Sequence, residues 1–182
     1  MARLLFVPGL GNSGPDHWQS WWQAQEFTAT RVEQEDWQTP DLEQWSARVS
    51  EALDRSPDPA WIVAHSFGCL ASIRAVAHLP GKVLGALLVA SAEPDRFEDL
   101  GRTLMNRLPA PSRVVASATD PWMSLYRAKL WSTRWGSDFV SLGAAGHINA
   151  ESGYGPWSEG KRLLGELQTT HTPLASEGRC CG

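Results

Sequence analysis

Apolar and polar positions follow two alternating patterns along the chain. The predicted strands are Arg3–Val7, Ala29–Glu35, Trp61–His65, Val83–Ala90, Arg113–Ser117 and Phe139–Leu142, and most of them are short apolar runs typical of strands buried on both faces. Helical spacing covers Pro15–Gln25, Leu42–Arg55, Phe67–His78, Ser124–Trp135 and Trp157–Leu167, with a further helix predicted near Arg96–Asn106. Strands that alternate with helices predict a mainly parallel sheet with helices on both faces. The expected fold is α/β, a three-layer α/β/α sandwich around a six-stranded sheet.

The length of the chain favours a single domain. Its 182 residues suffice for one full core, and they show no internal repeat and no second domain. Apolar periodicity is lost after about residue 170. We therefore expect a folded domain over residues 1–169 and a flexible tail over residues 170–182.

Composition and charge narrow the possible partners and the location. The net charge of -4, without a cluster of Lys and Arg, argues against nucleic-acid binding. The longest apolar run, Val83–Ala92, is ten residues long, whereas a membrane-spanning helix needs about 20. The cysteines Cys69, Cys180 and Cys181 form neither a disulfide framework nor a zinc site. We expect a cytoplasmic protein without a metal.

Ser66 lies where an apolar strand pattern gives way directly to a helical pattern. The residues around it, Ala64 to Gly68, resemble the G-x-S-x-G nucleophile elbow of α/β-hydrolases. Ala64 replaces the first glycine of that pattern. Small residues are needed there because strand and helix pass closely, and alanine adds only one methyl group. Ser66 is therefore the candidate nucleophile.

An acid and then a histidine should follow such a serine in chain order. Asp120 follows the strand Arg113–Ser117 and precedes Pro121, which places its carboxylate at the carboxyl end of the sheet. An Asp-Pro pair alone is a common turn. Its position two strands after the serine strand favours the catalytic role.

His147 is the histidine whose position best fits the base. It follows the last predicted strand, and small residues precede it. His65 comes directly before Ser66, so its side chain should point away from that serine. His17 occurs too early in the chain for the base, although it could line the site.

The loop after the first strand, Val7–Ser13, is the candidate oxyanion loop. Two donors must face the developing charge in the oxyanion hole. We expect them to be the backbone N–H of Phe67, which follows the nucleophile, and that of Leu10, by analogy with the residue after the glycine in the corresponding loop of α/β-hydrolases. The loop lacks the G-x-G-x-x-G and P-loop patterns, which argues against a nucleotide cofactor. The candidate substrate contacts are Gly9, Asn12, His17, Trp18 and Trp122. For the two tryptophans, core packing is the alternative.

Several motifs together resemble one family of small serine hydrolases. They are Val7-Pro8-Gly9, Asp16-His17-Trp18, His65-Ser66-Phe67-Gly68, Asp120-Pro121 and the stretch from Gly146 to Trp157. Over roughly residues 2–168 the chain resembles the compact α/β-hydrolases typified by retinoblastoma-binding protein 9. That resemblance implies a triad at Ser66, Asp120 and His147, a minimal lid and ester hydrolysis.

The combined pattern predicts a serine esterase that forms an acyl-enzyme without a metal or organic cofactor. The short segment Ser91–Pro111 predicts an open site, which favours small-molecule acyl esters as substrates. Two alternatives remain open. One is acyl transfer or thioester hydrolysis by the same triad. The other is a protein-interaction module that keeps the hydrolase fold, with a protein partner.

Overall fold

The computed structural model describes residues 3–97 and 104–171. Its strands are β1 (Arg3–Val7), β2 (Ala29–Arg31), β3 (Ala60–His65), β4 (Val83–Val89), β5 (Ser112–Ala116) and β6 (Asp138–Ser141). Its α-helices are α1 (Trp18–Gln23), α2 (Leu42–Asp54), α3 (Phe67–His78), α4 (Leu125–Trp135) and α5 (Ser158–His171). Short 3₁₀ turns lie at Pro80–Lys82, Pro94–Arg96 and Ala150–Ser152. No helix in these described ranges is long and apolar enough to cross a membrane.

All six strands form one parallel sheet in the order β2-β1-β3-β4-β5-β6. The chain moves outward from β1 to β2 and then returns to the other side of β1. This reversal creates a switch point between β1 and β3. In open α/β sheets, ligands bind at the carboxyl ends of the strands beside such a point. The loops after β1 and β3 therefore border the expected binding crevice.

Alternation along the inner strands divides the core into two layers. In β1, Leu5 and Val7 join the cluster that contains Trp45 of α2 and Trp131 of α4. Leu4 and Phe6 face the opposite layer, together with buried residues of α1 and α5, which are Trp18, Trp22, Leu163, Leu164 and Leu167. The sheet thus lies between α2, α3 and α4 on one face and α1 and α5 on the other. The predicted three-layer α/β/α fold is confirmed.

Several element boundaries differ from the sequence-based prediction. The second strand ends at Arg31 rather than Glu35, because β2 is an edge strand and its last bond to β1 runs from Val32 N–H to the Phe6 carbonyl. The first helix begins at Trp18 rather than Pro15, since His17 adopts an extended conformation as its N-cap.

The last helix continues beyond the predicted end at Leu167. It runs to His171, and the hydroxyls of Thr169 and Thr170 bond back to carbonyls one turn earlier at 2.8 Å. The helix predicted near Arg96–Asn106 falls largely on residues 98–103, outside the described residues. Residues 172–182, with Cys180 and Cys181, also lie outside them, so the tail stays a prediction.

Candidate active site

Ser66 adopts the strained backbone conformation expected of an elbow, with φ 53° and ψ -125°. Such geometry is costly for a residue with a side chain and persists only where its surroundings fix it. Here the Ser66 N–H donates to the Val89 carbonyl at 3.1 Å, and the Ser66 carbonyl accepts from Cys69 and Ala92 at 3.0 and 3.2 Å. Bonds to β4, α3 and the following loop therefore hold the turn.

Two glycines allow the loop after β1 to pack directly against this turn. A Cβ atom on Gly9 would lie 2.6 Å from Ser66 Cβ, and one on Gly68 would lie 2.3 Å from the Pro8 carbonyl oxygen. Both distances are too short for any real side chain. Ala64, which replaces the usual elbow glycine, is fully buried in β3, where its methyl group joins the core.

Asp120 and His147 meet at the carboxyl end of the sheet. His147 Nδ1 lies 3.0 Å from both carboxylate oxygens of Asp120. The His147 side chain is only 11% exposed and the Asp120 side chain only 3%. The Trp122 N–H also donates to Asp120 Oδ1 at 2.9 Å, which fixes the carboxylate. Because Asp120 occupies Nδ1, Nε2 is the His147 nitrogen left for exchanging a proton with another group.

Within residues 3–97 and 104–171, no hydrogen bond joins Ser66 Oγ to His147. Bonds between catalytic groups are often long before a substrate binds. The two residues are instead connected through His65, the residue before Ser66. Its ring centroid lies 4.8 Å from that of His147.

Hydroxyl groups hold the loops after β5 and β6 together. Ser117 Oγ accepts from the Ala145 N–H at 3.0 Å, and Thr119 Oγ1 accepts from the Gly146 N–H at 2.9 Å. A backbone bond from Ala118 to Gly143 at 2.7 Å joins the same two loops. The distance between the candidate acid and the candidate base is therefore set by these cross-links as well as by their own contact.

A second set of bonds lies inside the histidine loop. The His147 N–H donates to Ser152 Oγ at 3.1 Å, and that hydroxyl donates to Asn149 Oδ1 at 2.9 Å. Gly146 has φ +56°, and a Cβ there would lie 2.3 Å from Ser152 Oγ. The glycine thus permits both the backbone turn and the hydroxyl contact.

The loop after β1 is held by Arg31. This guanidinium donates to Asn12 Oδ1 at 3.2 Å, to the Ser13 carbonyl at 2.9 Å and to Ser20 Oγ at 2.8 Å. Asn12, predicted as a substrate contact, therefore uses its side-chain oxygen within the protein. In the described part of the chain, the N–H groups of Leu10 and Phe67 have no acceptor.

The remaining predicted substrate contacts differ sharply in exposure. Trp122 is 54% exposed, and its ring centroid lies 6.3 Å from that of His147. Trp18 is 0% and His17 5% exposed, so both lie beneath the surface of the site. His17 Nδ1 accepts from the Gln19 N–H at 3.2 Å as the cap of α1. Burial, then Arg31 and His147, lower the His17 pKa to about 4.

His65 is a further buried histidine, one whose position relative to His147 the sequence did not indicate. Its Nε2 lies 2.9 Å from the His147 carbonyl oxygen, and its ring packs 4.8 Å from that of His17. Burial, followed by the charges of His17 and His147, holds the pKa of His65 well below its usual value. Sequence reasoning missed His65, Ser117, Thr119, Ser152 and Arg31 as supporting residues. Most of their partners are backbone atoms, which carry no local sequence signal, and the side-chain partners of Arg31 come from other parts of the chain.

Across the described ranges, His, Cys, Asp and Glu form no group of three or more that could hold a metal ion. The arrangement instead places an acid, a histidine and a strained serine at one sheet edge, which suits nucleophilic chemistry.

Comparisons with known proteins agree with this architecture. Residues 4–166 match the family model described as serine hydrolase. A YdeN-like hydrolase from Pectobacterium atrosepticum is 38% identical, with a TM-score of 0.90 over 95% of this chain and 94% of that one. The ydeN product of Bacillus subtilis is 19% identical, with a TM-score of 0.78 over 93% of this chain and 100% of that one.

More distant structures share the fold alone. A monoacylglycerol lipase from Paleococcus ferrophilus is 12% identical, with a TM-score of 0.71 over 93% of this chain and 94% of that one. A search of curated proteins found no match. The family model and the 38% identical hydrolase together show that this chain belongs to the serine hydrolase family.

Proposed function

We propose that this protein is a carboxylesterase that hydrolyses small acyl esters through Ser66, His147 and Asp120. The observation that carries the proposal is the contact of His147 Nδ1 with both Asp120 oxygens at 3.0 Å. It lies at the same edge of the sheet as the strained turn at Ser66. A carboxylate on Nδ1 fixes the tautomer whose Nε2 can accept a proton.

In the proposed mechanism, His147 Nε2 takes the Ser66 hydroxyl proton while Ser66 Oγ attacks the ester carbonyl. The N–H groups of Leu10 and Phe67 stabilise the oxyanion, since neither has an acceptor among the described residues. His147 then protonates the leaving alcohol. Water hydrolyses the acyl-enzyme with His147 again as the base, and Asp120 stabilises the imidazolium in both steps.

The expected substrate class follows from the openness of the site. Trp122 is more than half exposed beside His147, and Leu10 is 40% exposed on the oxyanion loop. Only residues 90–111 connect β4 to β5, which leaves no room for a separate cap domain. We therefore favour short acyl esters as substrates. On the basis of its sequence motifs, we also propose that the chain belongs to the branch of the family typified by retinoblastoma-binding protein 9.

The decisive experiment measures hydrolysis of a series of p-nitrophenyl esters by wild type and by Ser66→Ala. Loss of the nucleophile should lower kcat/KM by at least about 10³-fold, since the residues of a triad act as a unit. Ser72→Ala is the matched control, because Ser72 lies on α3, the helix that directly follows Ser66, and its hydroxyl bonds only to the Gly68 carbonyl. Equal rates for wild type and Ser66→Ala would refute the proposal.

A fluorophosphonate probe separates the alternatives. Labelling of wild type but not of Ser66→Ala supports an activated serine. Labelling without ester hydrolysis, but with acyl delivery to an added amine or thiol, would favour acyl transfer. A protein that neither hydrolyses esters nor labels would instead fit the interaction-module alternative.

A further inference from the structure

Two consecutive carbonyl groups in the loop after β6 are each held by a ring nitrogen from elsewhere in the chain. His65 Nε2 lies 2.9 Å from the His147 carbonyl oxygen, and Trp18 Nε1 donates to the Ile148 carbonyl at 2.9 Å. A carbonyl oxygen only accepts, so His65 must carry its proton on Nε2. We propose that His65 and Trp18 are positioning residues that clamp this backbone and thereby orient the His147 imidazole. The inference rests on the proposed role of His147 as base.

The clamped segment needs restraint because Ile148 is strained. Its φ is 47°, which is a true outlier for a β-branched residue. The two clamped carbonyls lie on either side of that φ torsion. Without them, the torsion could relax and rotate the preceding residue, His147. Strained backbone of this kind persists only where neighbouring structure fixes it.

The two donors are themselves well fixed. Trp18 is fully buried, and its ring centroid lies 4.7 Å from that of Trp22 and 5.1 Å from that of Trp157. His65 is the last residue of β3, and His17 packs against its ring on the side of α1. Because His65 directly precedes Ser66, one residue links the backbone of the candidate nucleophile to that of the candidate base.

This role differs from the one that the sequence predicted for Trp18. A fully buried indole whose N–H is already bonded inside the protein cannot contact a substrate directly. In the clamp, Trp18 affects catalysis only by orienting His147. Substitution of Trp18 should therefore change kcat rather than substrate affinity.

A pair of His65 substitutions tests the first half of the clamp. In His65→Gln, the side-chain amide nitrogen can occupy the position of Nε2 and donate, whereas His65→Leu has similar bulk and no donor. We expect His65→Leu to lower kcat for a short p-nitrophenyl ester about 100-fold, with KM changed less than about 3-fold. His65→Gln should recover at least about 10-fold of that loss.

Two tryptophans on α1 provide a matched test of the second half. Trp22 is as buried as Trp18, and its indole also donates to a backbone carbonyl, that of Pro156 at 3.0 Å. Trp18→Phe and Trp22→Phe therefore remove the same atoms and the same kind of bond. We expect both to lose stability, but only Trp18→Phe to lower kcat by about 10-fold or more.

Hydrogen–deuterium exchange gives a readout that does not depend on activity. Amides of residues 143–153 should exchange faster in His65→Leu and Trp18→Phe than in His65→Gln and Trp22→Phe. Equal exchange in all four variants, or wild-type kcat in His65→Leu, would overturn the clamp even with a fully active wild type. An inactive wild type would refute the proposed esterase alone, and the exchange data would still decide whether the clamp exists.

Discussion

Ser66 and His147 lie at the same edge of the sheet, but the chain holds them by different means. Ser66 follows β3, an inner strand paired with both β1 and β4, and its backbone N–H and carbonyl are bonded to other backbone groups. His147 follows β6, an edge strand paired only with β5. Its loop is held mainly by side chains, including Ser117, Thr119 and Ser152.

The difference follows from the position of each strand in the sheet. A loop leaving an inner strand has neighbouring backbone on both sides, so close packing alone can fix it. A loop leaving an edge strand lacks one neighbour, and its backbone groups must find side-chain partners. Substitutions should therefore damage the two halves in distinct ways. Added bulk should disrupt the elbow, whereas loss of a polar atom should disrupt the histidine loop.

The largest expected effect comes from added bulk at the elbow. In Gly68→Ala, the new Cβ would lie 2.3 Å from the Pro8 oxygen and 2.5 Å from the Val7 oxygen, both rigid backbone atoms. We expect destabilisation by about 3 kcal/mol or more, or failure to fold. Urea denaturation measures the change in unfolding free energy.

Gly165→Ala on α5 is the control for that substitution. It is also a helical glycine, but a Cβ there meets nothing within 4 Å. Helix propensity predicts a gain of about 0.5–1 kcal/mol. If both alanine variants changed stability by the same amount and sign, close packing at the elbow would not be what fixes Ser66.

Most of the sheet is predictable from the sequence. The pattern predicts β1, β3, β4, β5 and β6 to within one residue at each end, because most of these strands are short apolar runs. The order of Ser66, Asp120 and His147 followed from the same pattern of strands. Edge strand β2 was predicted too long, since its end is set by where pairing with β1 stops rather than by its own residues.

The supports of the histidine loop were not predictable in the same way. Trp18 lies 130 positions from its partner Ile148, and His65 lies 82 from His147. Their acceptors are carbonyl groups, which every residue carries. No residue type or spacing therefore marks the contact. Such bonds become apparent only once the strands have brought the loops together.

Loss of one hydroxyl should damage the histidine loop without unfolding the protein. Ser152→Ala leaves the His147 N–H without its acceptor and frees Asn149 Oδ1 from the hydroxyl. We expect a loss of about 2 kcal/mol in unfolding free energy, the cost of an unpaired, partly buried donor. We also expect kcat for a short ester to fall about 10-fold as His147 shifts.

Ser50→Ala on α2 is the matched control, because that hydroxyl bonds only to the Ser46 carbonyl within its own helix. Its kcat should equal that of wild type. Wild-type kcat in Ser152→Ala as well would show that the polar contacts of the loop do not position His147.

The smallest expected effect is the pH dependence of stability that the buried imidazole of His17 causes. The pKa of His17 is lowered to about 4, first by burial and then by Arg31 and His147, whereas in the unfolded chain it returns to 6.5. Between these values the unfolded state binds more protons than the folded state. Stability should therefore fall as pH drops from about 6.5 to about 4, and His17 should add no further loss below that range.

His17→Asn removes this titration and keeps an acceptor for the Gln19 N–H, because asparagine is a good N-cap. The loss of unfolding free energy between pH 7 and pH 5 should be smaller than in wild type, by on the order of 1 kcal/mol. His65 still opposes protonation, so part of the dependence should remain. His78→Asn, on the exposed end of α3, is the matched control substitution. If His17→Asn lost as much unfolding free energy between pH 7 and pH 5 as wild type, the burial of His17 would not be a cause of the acid sensitivity of the fold.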